Sequence, residues 1–245
     1  MVFLFLLAWR IGYFMHFYGM IASFVMANGT CRKAEDTRSL LFSISSSVVK
    51  FERNQVNRMD EFILKVAGVE RKLPVVRIAD HIKIASFVIL GDTELVSKSA
   101  EALKERIPEA DYFITAEAKG IPLIHELSRI CGKKRYFVAR KSIKPYMSDP
   151  FVTEVYSITT QRKQLLCIEK EESEMIKGKR ILIVDDVIST GESVRALEKL
   201  IKRAGGTLVG KAAILAEGDD AMKRDDIIYL EELPLFPIDP SDAIQ

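Results

Sequence analysis

The stretch RILIVDDVISTGES, residues 180–193, decides the fold. Ile181 to Val184 are four consecutive apolar residues, the pattern of a strand buried on both faces. Two adjacent carboxylates, Asp185 and Asp186, follow it. A short turn through Ser189, Thr190 and Gly191 then runs by way of Glu192 into Ser193, where a helical pattern begins. A helix N-terminus leaves backbone N–H groups unpaired and carries a partial positive charge, so such a turn suits a phosphate. Gly191 lets the backbone approach a ligand, and Thr190 and Ser193 add hydroxyl donors. Two acids beside a phosphate would repel it unless they hold another part of the same ligand. Vicinal ribose hydroxyls fit that role, because ionised carboxylates accept hydrogen bonds from them. A phosphorylated ribose satisfies both halves of the motif. The competing reading is a plain strand–turn–helix with a capping Ser and an incidental acid pair; neither GxxxxGK[ST] nor GxGxxG is present.

Outward from this stretch, short apolar runs alternate with helical patterns. DYFITAEA (111–118) and KRYFVARK (134–141) read as strands, with the helix IPLIHELSRICG (121–132) between them. The amphipathic SVRALEKLIKRAGG (193–206) is followed by two strands, TLVGKAAILAE (207–217) and DIIYLEEL (226–233). A further helix, LVSKSAEALKER (95–106), precedes the first of these strands. Strand and helix in alternation imply an α/β fold, a doubly wound parallel sheet with helices on both faces. Residues 62–90, rich in β-branched side chains, read as a small flap, and residues 91–236 as the core. Ligands of such sheets sit beyond the carboxyl ends of the strands.

The first 58 residues are of another kind. Residues 1–27 contain 22 apolar side chains, enough to span a bilayer, although Arg10 interrupts the run. No basic segment precedes them, which weakens a signal-peptide reading. Met59 opens a run that reads as the start of a soluble domain extending over 59–245. Residues 1–58 are therefore expected to be an extension outside the catalytic unit, with a membrane anchor as the alternative. They carry seven basic and three acidic residues, against a whole-chain net charge of +2, so residues 59–245 are left at −2. That balance offers no polycation for a nucleic-acid backbone. Cys31, Cys131 and Cys167 are scattered, without a CxxC pair, so neither zinc ligation nor a disulfide framework is expected.

The run from Ile181 to Ser193 resembles the ribose-5-phosphate-binding motif of type I phosphoribosyltransferases. The resemblance covers about residues 60–236 and is most similar to the adenine and xanthine enzymes. It implies that Asp185 and Asp186 hold the ribose hydroxyls of phosphoribosyl pyrophosphate (PRPP). Ser189, Thr190, Gly191, Glu192 and Ser193 would then cradle the 5-phosphate. Glu117, Ala118, Lys119 and Gly120 resemble the family's pyrophosphate loop, where a non-proline cis peptide is common and would fall at Glu117–Ala118. Val138 to Lys141, with Val155 to Thr159, resemble a strand and a mobile loop; Lys144, Tyr156 and Ser157 would belong to that loop, over 142–160. The resemblance also implies a cytoplasmic homodimer in purine salvage.

Base preference is read from departures. Ser189 stands where hypoxanthine–guanine enzymes carry an Asp. Flap residues 82–89 resemble those of the xanthine enzymes, whose Asn and strand-end Lys align here with Ile89 and Glu217. Ile82, Ile89 and Glu217 are accordingly assigned to the base. An apolar residue and an acceptor carboxylate suit an exocyclic amine, which favours adenine over xanthine or guanine. Thr159, Thr160 and Glu154 lie nearest the position of a general acid or base, and none is a clear match.

The implied reaction displaces pyrophosphate from C1 of PRPP by a purine nitrogen. Lys119, Arg140 and Lys141, with Lys144, would neutralise the leaving group. Mg²⁺ would bind mainly through pyrophosphate oxygens, with no protein metal site. A non-catalytic PRPP-sensing regulator is the second class of function. Such a regulator would want a basic DNA-binding module, and no helix-turn-helix pattern is present.

Overall fold

The computed structural model describes residues 60–156 and 163–238. The readings placed on residues 1–58, on Met59 and on Ser157, Thr159 and Thr160 lie outside them. Among the described residues no helix is long and apolar enough to cross a membrane.

The flap comes first: β1 (Glu61–Val66), β2 (Val69–Ala79) and β3 (Ile82–Ala85) form an antiparallel meander. The core begins with α1 (Thr93–Lys104), β4 (Tyr112–Ala116), α2 (Ile121–Ile130) and β5 (Phe137–Ala139). Next comes an antiparallel pair, β6 (Phe151–Tyr156) and β7 (Lys163–Ile168), then α3 (Lys170–Ile176). The chain returns to the core with β8 (Arg180–Ile188), α4 (Glu192–Arg203), β9 (Thr207–Glu217), the short α5 (Asp219–Met222) and β10 (Ile228–Leu233). Finally β11 (Leu235–Pro237) pairs antiparallel with β3 and completes the flap. The core sheet is parallel throughout, in the order β10-β9-β8-β4-β5.

The central strand shows why the apolar run at 181–184 is unbroken. Side chains alternate across a strand. Ile181 and Ile183 enter the cluster formed with Leu197, Leu200 and Ile201 of α4. Leu182 and Val184 enter the opposite cluster, with Leu95 and Leu103 of α1 and Leu123 and Leu127 of α2. All four strand residues are 0% exposed. Ile183→Val, which deletes one methylene from this layer, is expected to cost about 0.5–1.5 kcal/mol in urea unfolding without changing the slope.

The helix starts matter most for the site. α1 begins at Thr93 because the Asp92 carboxylate accepts the Leu95 N–H at 3.1 Å. Arg71 of β2 grips the same carboxylate at 2.7 and 3.0 Å and so ties the flap to the core. By contrast α2 and α4, which follow β4 and β8, begin at Gly120 and Gly191 with no side-chain cap. In α2 the Ile121 N–H donates to the Ala118 carbonyl at 3.2 Å and Pro122 has none to give, so it is the start of α4 that offers open N–H groups to a ligand at the carboxyl ends of the sheet.

Two local expectations are corrected, and one helix appears that the sequence reading did not place. The span 142–160 is not one loop: residues 151–156 form β6, paired with β7 in register from Phe151↔Ile168 to Tyr156↔Lys163. Residues 170–176 form a helix opened by a capping box between Glu169 and Glu172, a short signal among charged residues. The flap does not end at 90, since it takes its fourth strand from residues 235–237, a pairing no local pattern reveals.

Candidate active site

A cleft of about 440 Å³ opens between the flap edge and the carboxyl ends of the core strands. Ile84 to Val88 line one side; Glu117 to Lys119, Lys141, Asp185, Asp186 and Glu217 line the other. A recess of about 140 Å³ adjoins it at the start of α4, lined by Asp185 and by Val187 to Val194. Ser189, Thr190, Gly191, Glu192 and Ser193 all border this recess. Gly191 adopts φ +73°, a left-handed conformation that admits glycine without strain and turns the chain from strand into helix.

The acid pair sits where cleft and recess meet. Asp186 is 4% exposed, and its Oδ2 has no hydrogen-bond partner. The nearest cation is Lys119, whose Nζ lies 3.4 Å from that oxygen. Asp185 Oδ1 accepts the Asp186 backbone N–H at 3.0 Å. Burial, and after it the charge of Asp186, raises the Asp185 carboxyl well above the usual carboxylate range. The pair is thus short of water and of donors, a site suited to hydroxyl groups.

The loop at the end of β4 is held tightly. The Glu117–Ala118 peptide is cis. Gly120 lies so close to its neighbours that a Cβ there would be 2.3 Å from Thr115 Oγ1 and 2.8 Å from Asp185 Oδ1. Glu117 gathers the cations predicted for the leaving group. Its Oε2 accepts the Lys141 N–H at 3.1 Å, while Arg140 Nη1 and Lys144 Nζ lie 3.6 and 3.5 Å from its carboxylate. The Lys141 N–H, with those two charges, holds the Glu117 carboxyl below its ordinary value. Arg140 is also fixed by a backbone bridge to Cys167, at 2.7 and 2.9 Å. Lys119 and Lys141 therefore reach the cleft wall, whereas Arg140 and Lys144 are engaged with Glu117 and are not among the cleft-lining residues.

At the far end Glu217 lines the cleft from the end of β9. Burial raises its carboxyl, opposed by the positive charge of Lys119. The two flap assignments made beside it do not hold. Ile89 is 0% exposed and packs in the core with α1 and α2, and Ile82 pairs with Pro237 at the flap edge. Because β3 stops at Ala85, alternation fails beyond it, and Phe87 and Val88 line the cleft instead. With Val187 and Leu233 they supply an apolar wall that sequence reasoning missed. Tyr156 closes β6, and Ser157 lies outside the described residues.

A parallel sheet with an acid pair at its carboxyl end and an uncapped helix start beside it is an arrangement suited to phosphorylated ligands. Residues 91–245 match the family model of the phosphoribosyl transferase domain, and the chain belongs to that family. It is 30% identical over 156 residues to a xanthine phosphoribosyltransferase of Clostridioides difficile, covering 60% of this chain and 81% of that one. It is 32% identical over 160 residues to a hypoxanthine/guanine phosphoribosyltransferase of Methanococcus voltae, covering 65% and 81%. The fold is shared with the solved adenine phosphoribosyltransferase of Rhodothermus marinus (TM-score 0.51, 23% identity, 71% and 94% covered). The names of these three proteins differ in the base.

Proposed function

We propose that the protein transfers the phosphoribosyl group of PRPP to a purine base, with adenine preferred, releasing pyrophosphate. The observation that carries this reading is the buried Asp186 Oδ2, ion-paired with Lys119 but without a hydrogen bond, beside Asp185 and next to the uncapped start of α4. A ribose diol supplies the missing donors and its 5-phosphate enters the recess at Ser189 to Ser193. Pyrophosphate then lies along Lys119 and Lys141, where it competes with Glu117 for Arg140 and Lys144. Charge on the departing pyrophosphate is offset by these cations as positive charge develops on the ribose. Mg²⁺ would arrive on the substrate's own phosphates, its preferred oxygen ligands. When bound, Mg²⁺ would withdraw charge from the leaving group. The exposed apolar side chains Leu90, Ile143 and Tyr146 are surface that a second copy would cover in a cytoplasmic homodimer.

The base preference rests on Glu217. An ionised carboxylate accepts from an exocyclic amine and repels a carbonyl-rich edge. A panel of adenine, hypoxanthine, guanine and xanthine with PRPP and Mg²⁺, read as nucleotide formed, tests the reading. Glu217→Lys is expected to move the adenine-to-xanthine ratio of kcat/KM toward xanthine by about 1–3 kcal/mol. An unmoved ratio would remove Glu217 from the base site and leave adenine without its physical support.

A further inference from the structure

Two arginines stand behind the phosphate recess and are not among its lining residues. Arg195, exposed in the first turn of α4, donates from Nη1 to the Thr190 carbonyl at 2.9 Å. A Cβ built on Gly191 would lie 2.6 Å from Nη1 of Arg224 and 3.5 Å from Nη1 of Arg195. Both guanidiniums therefore meet the chain at Thr190–Gly191. Arg224 is itself held in place: its Nε and Nη2 donate to the two oxygens of Asp226 at 2.8 and 2.9 Å. Asp226 also pairs with Lys211, which pairs with Glu198 of α4, so the arrangement is braced on the same helix that the recess opens. The planar fork, tied at two nitrogens, leaves Nη1 for the Gly191 side.

The Thr190–Gly191 peptide is trans, so its C=O and N–H point in opposite directions. A carbonyl held outward by Arg195 turns the Gly191 N–H toward the recess. A cation on that oxygen also polarises the unit and strengthens the N–H as a donor. We infer that Arg195 and Arg224 are positioning residues for the 5-phosphate of a ribose ligand. Arg195 orients and polarises this peptide through the Thr190 carbonyl, and Arg224 holds the backbone at Gly191 by close packing, without either touching the phosphate. This rests on the reading of the recess as a ribose-phosphate site.

Calorimetry with two probes, ribose 5-phosphate and pyrophosphate, tests the inference on the wild type, Arg195→Met and Arg224→Gln. Loss of one well-aimed, charge-assisted donor should raise the Kd for ribose 5-phosphate about ten-fold in each variant. Pyrophosphate, which binds at the Lys119 end, should keep its affinity, and Tm should not change. Equal ribose 5-phosphate affinity in all three proteins would overturn the positioning role. So would parallel losses for both probes with a lowered Tm, which would indicate general loosening. A wild type that binds pyrophosphate but no ribose 5-phosphate would overturn the recess assignment itself, an outcome distinct from the other two.

Discussion

Asp185→Asn combined with Asp186→Asn is expected to weaken PRPP binding by about two orders of magnitude while the fold persists. A hydrogen bond to a charged group contributes about 1.5–3 kcal/mol and one to a neutral group about 0.5–1.5 kcal/mol, so losing one of each accounts for about a hundred-fold. The substitutions should also stabilise the ligand-free protein above neutral pH. Burial and the neighbouring charge raise the Asp185 carboxyl in the folded protein above its unfolded value. The folded state therefore retains a proton that the unfolded chain has already lost. Stability accordingly falls as pH rises from the unfolded carboxylate range, near about 4, toward the raised folded value. An amide pair carries no such linkage, so the variant's stability curve should be flatter between those limits and higher at the alkaline end. Calorimetric titration with PRPP checks the first effect and thermal unfolding at pH 5 and pH 8 the second. Unchanged PRPP affinity would sink the ribose assignment, and an unchanged pH slope would sink the account of the acid pair.

Gly120→Ala is expected to lower kcat/KM by about a hundred-fold and to destabilise the protein by about 1–3 kcal/mol. The backbone at Gly120 has φ −68°, so a left-handed conformation is not the reason for glycine here. Space is the reason. A methyl group would lie 2.3 Å from Oγ1 of the fully buried Thr115 and 3.3 Å from the Asp185 Cα. Asp185 cannot retreat easily, because it is paired with Ala213 in the central sheet. The loop bearing Lys119 must then move away from the acid pair, which misplaces pyrophosphate relative to ribose. Steady-state kinetics together with urea unfolding separates the two effects. Wild-type kcat/KM in a folded Gly120→Ala protein would show that close contact between this loop and Asp185 is not required.

The central strand, the helix at 192–203 and the turn between them were legible because each is written in a contiguous run. Ile181 to Val184 admit only a doubly buried strand, the helix shows its own periodicity, and Ser189 to Ser193 occupy one turn. Lys119 was found only through the family resemblance of the short segment from Glu117 to Gly120. Tertiary structure decided what meets across the cleft. It buried Ile89, put Phe87 and Val88 on the apolar wall, and turned Arg140 and Lys144 toward Glu117. It brought residues 235–237 back to the flap and set Arg224 against Gly191. A chain's periodicity reports which side of its own element a residue occupies. The partner on the other side is chosen by pairings between segments far apart in sequence, and those depend on how the whole core packs.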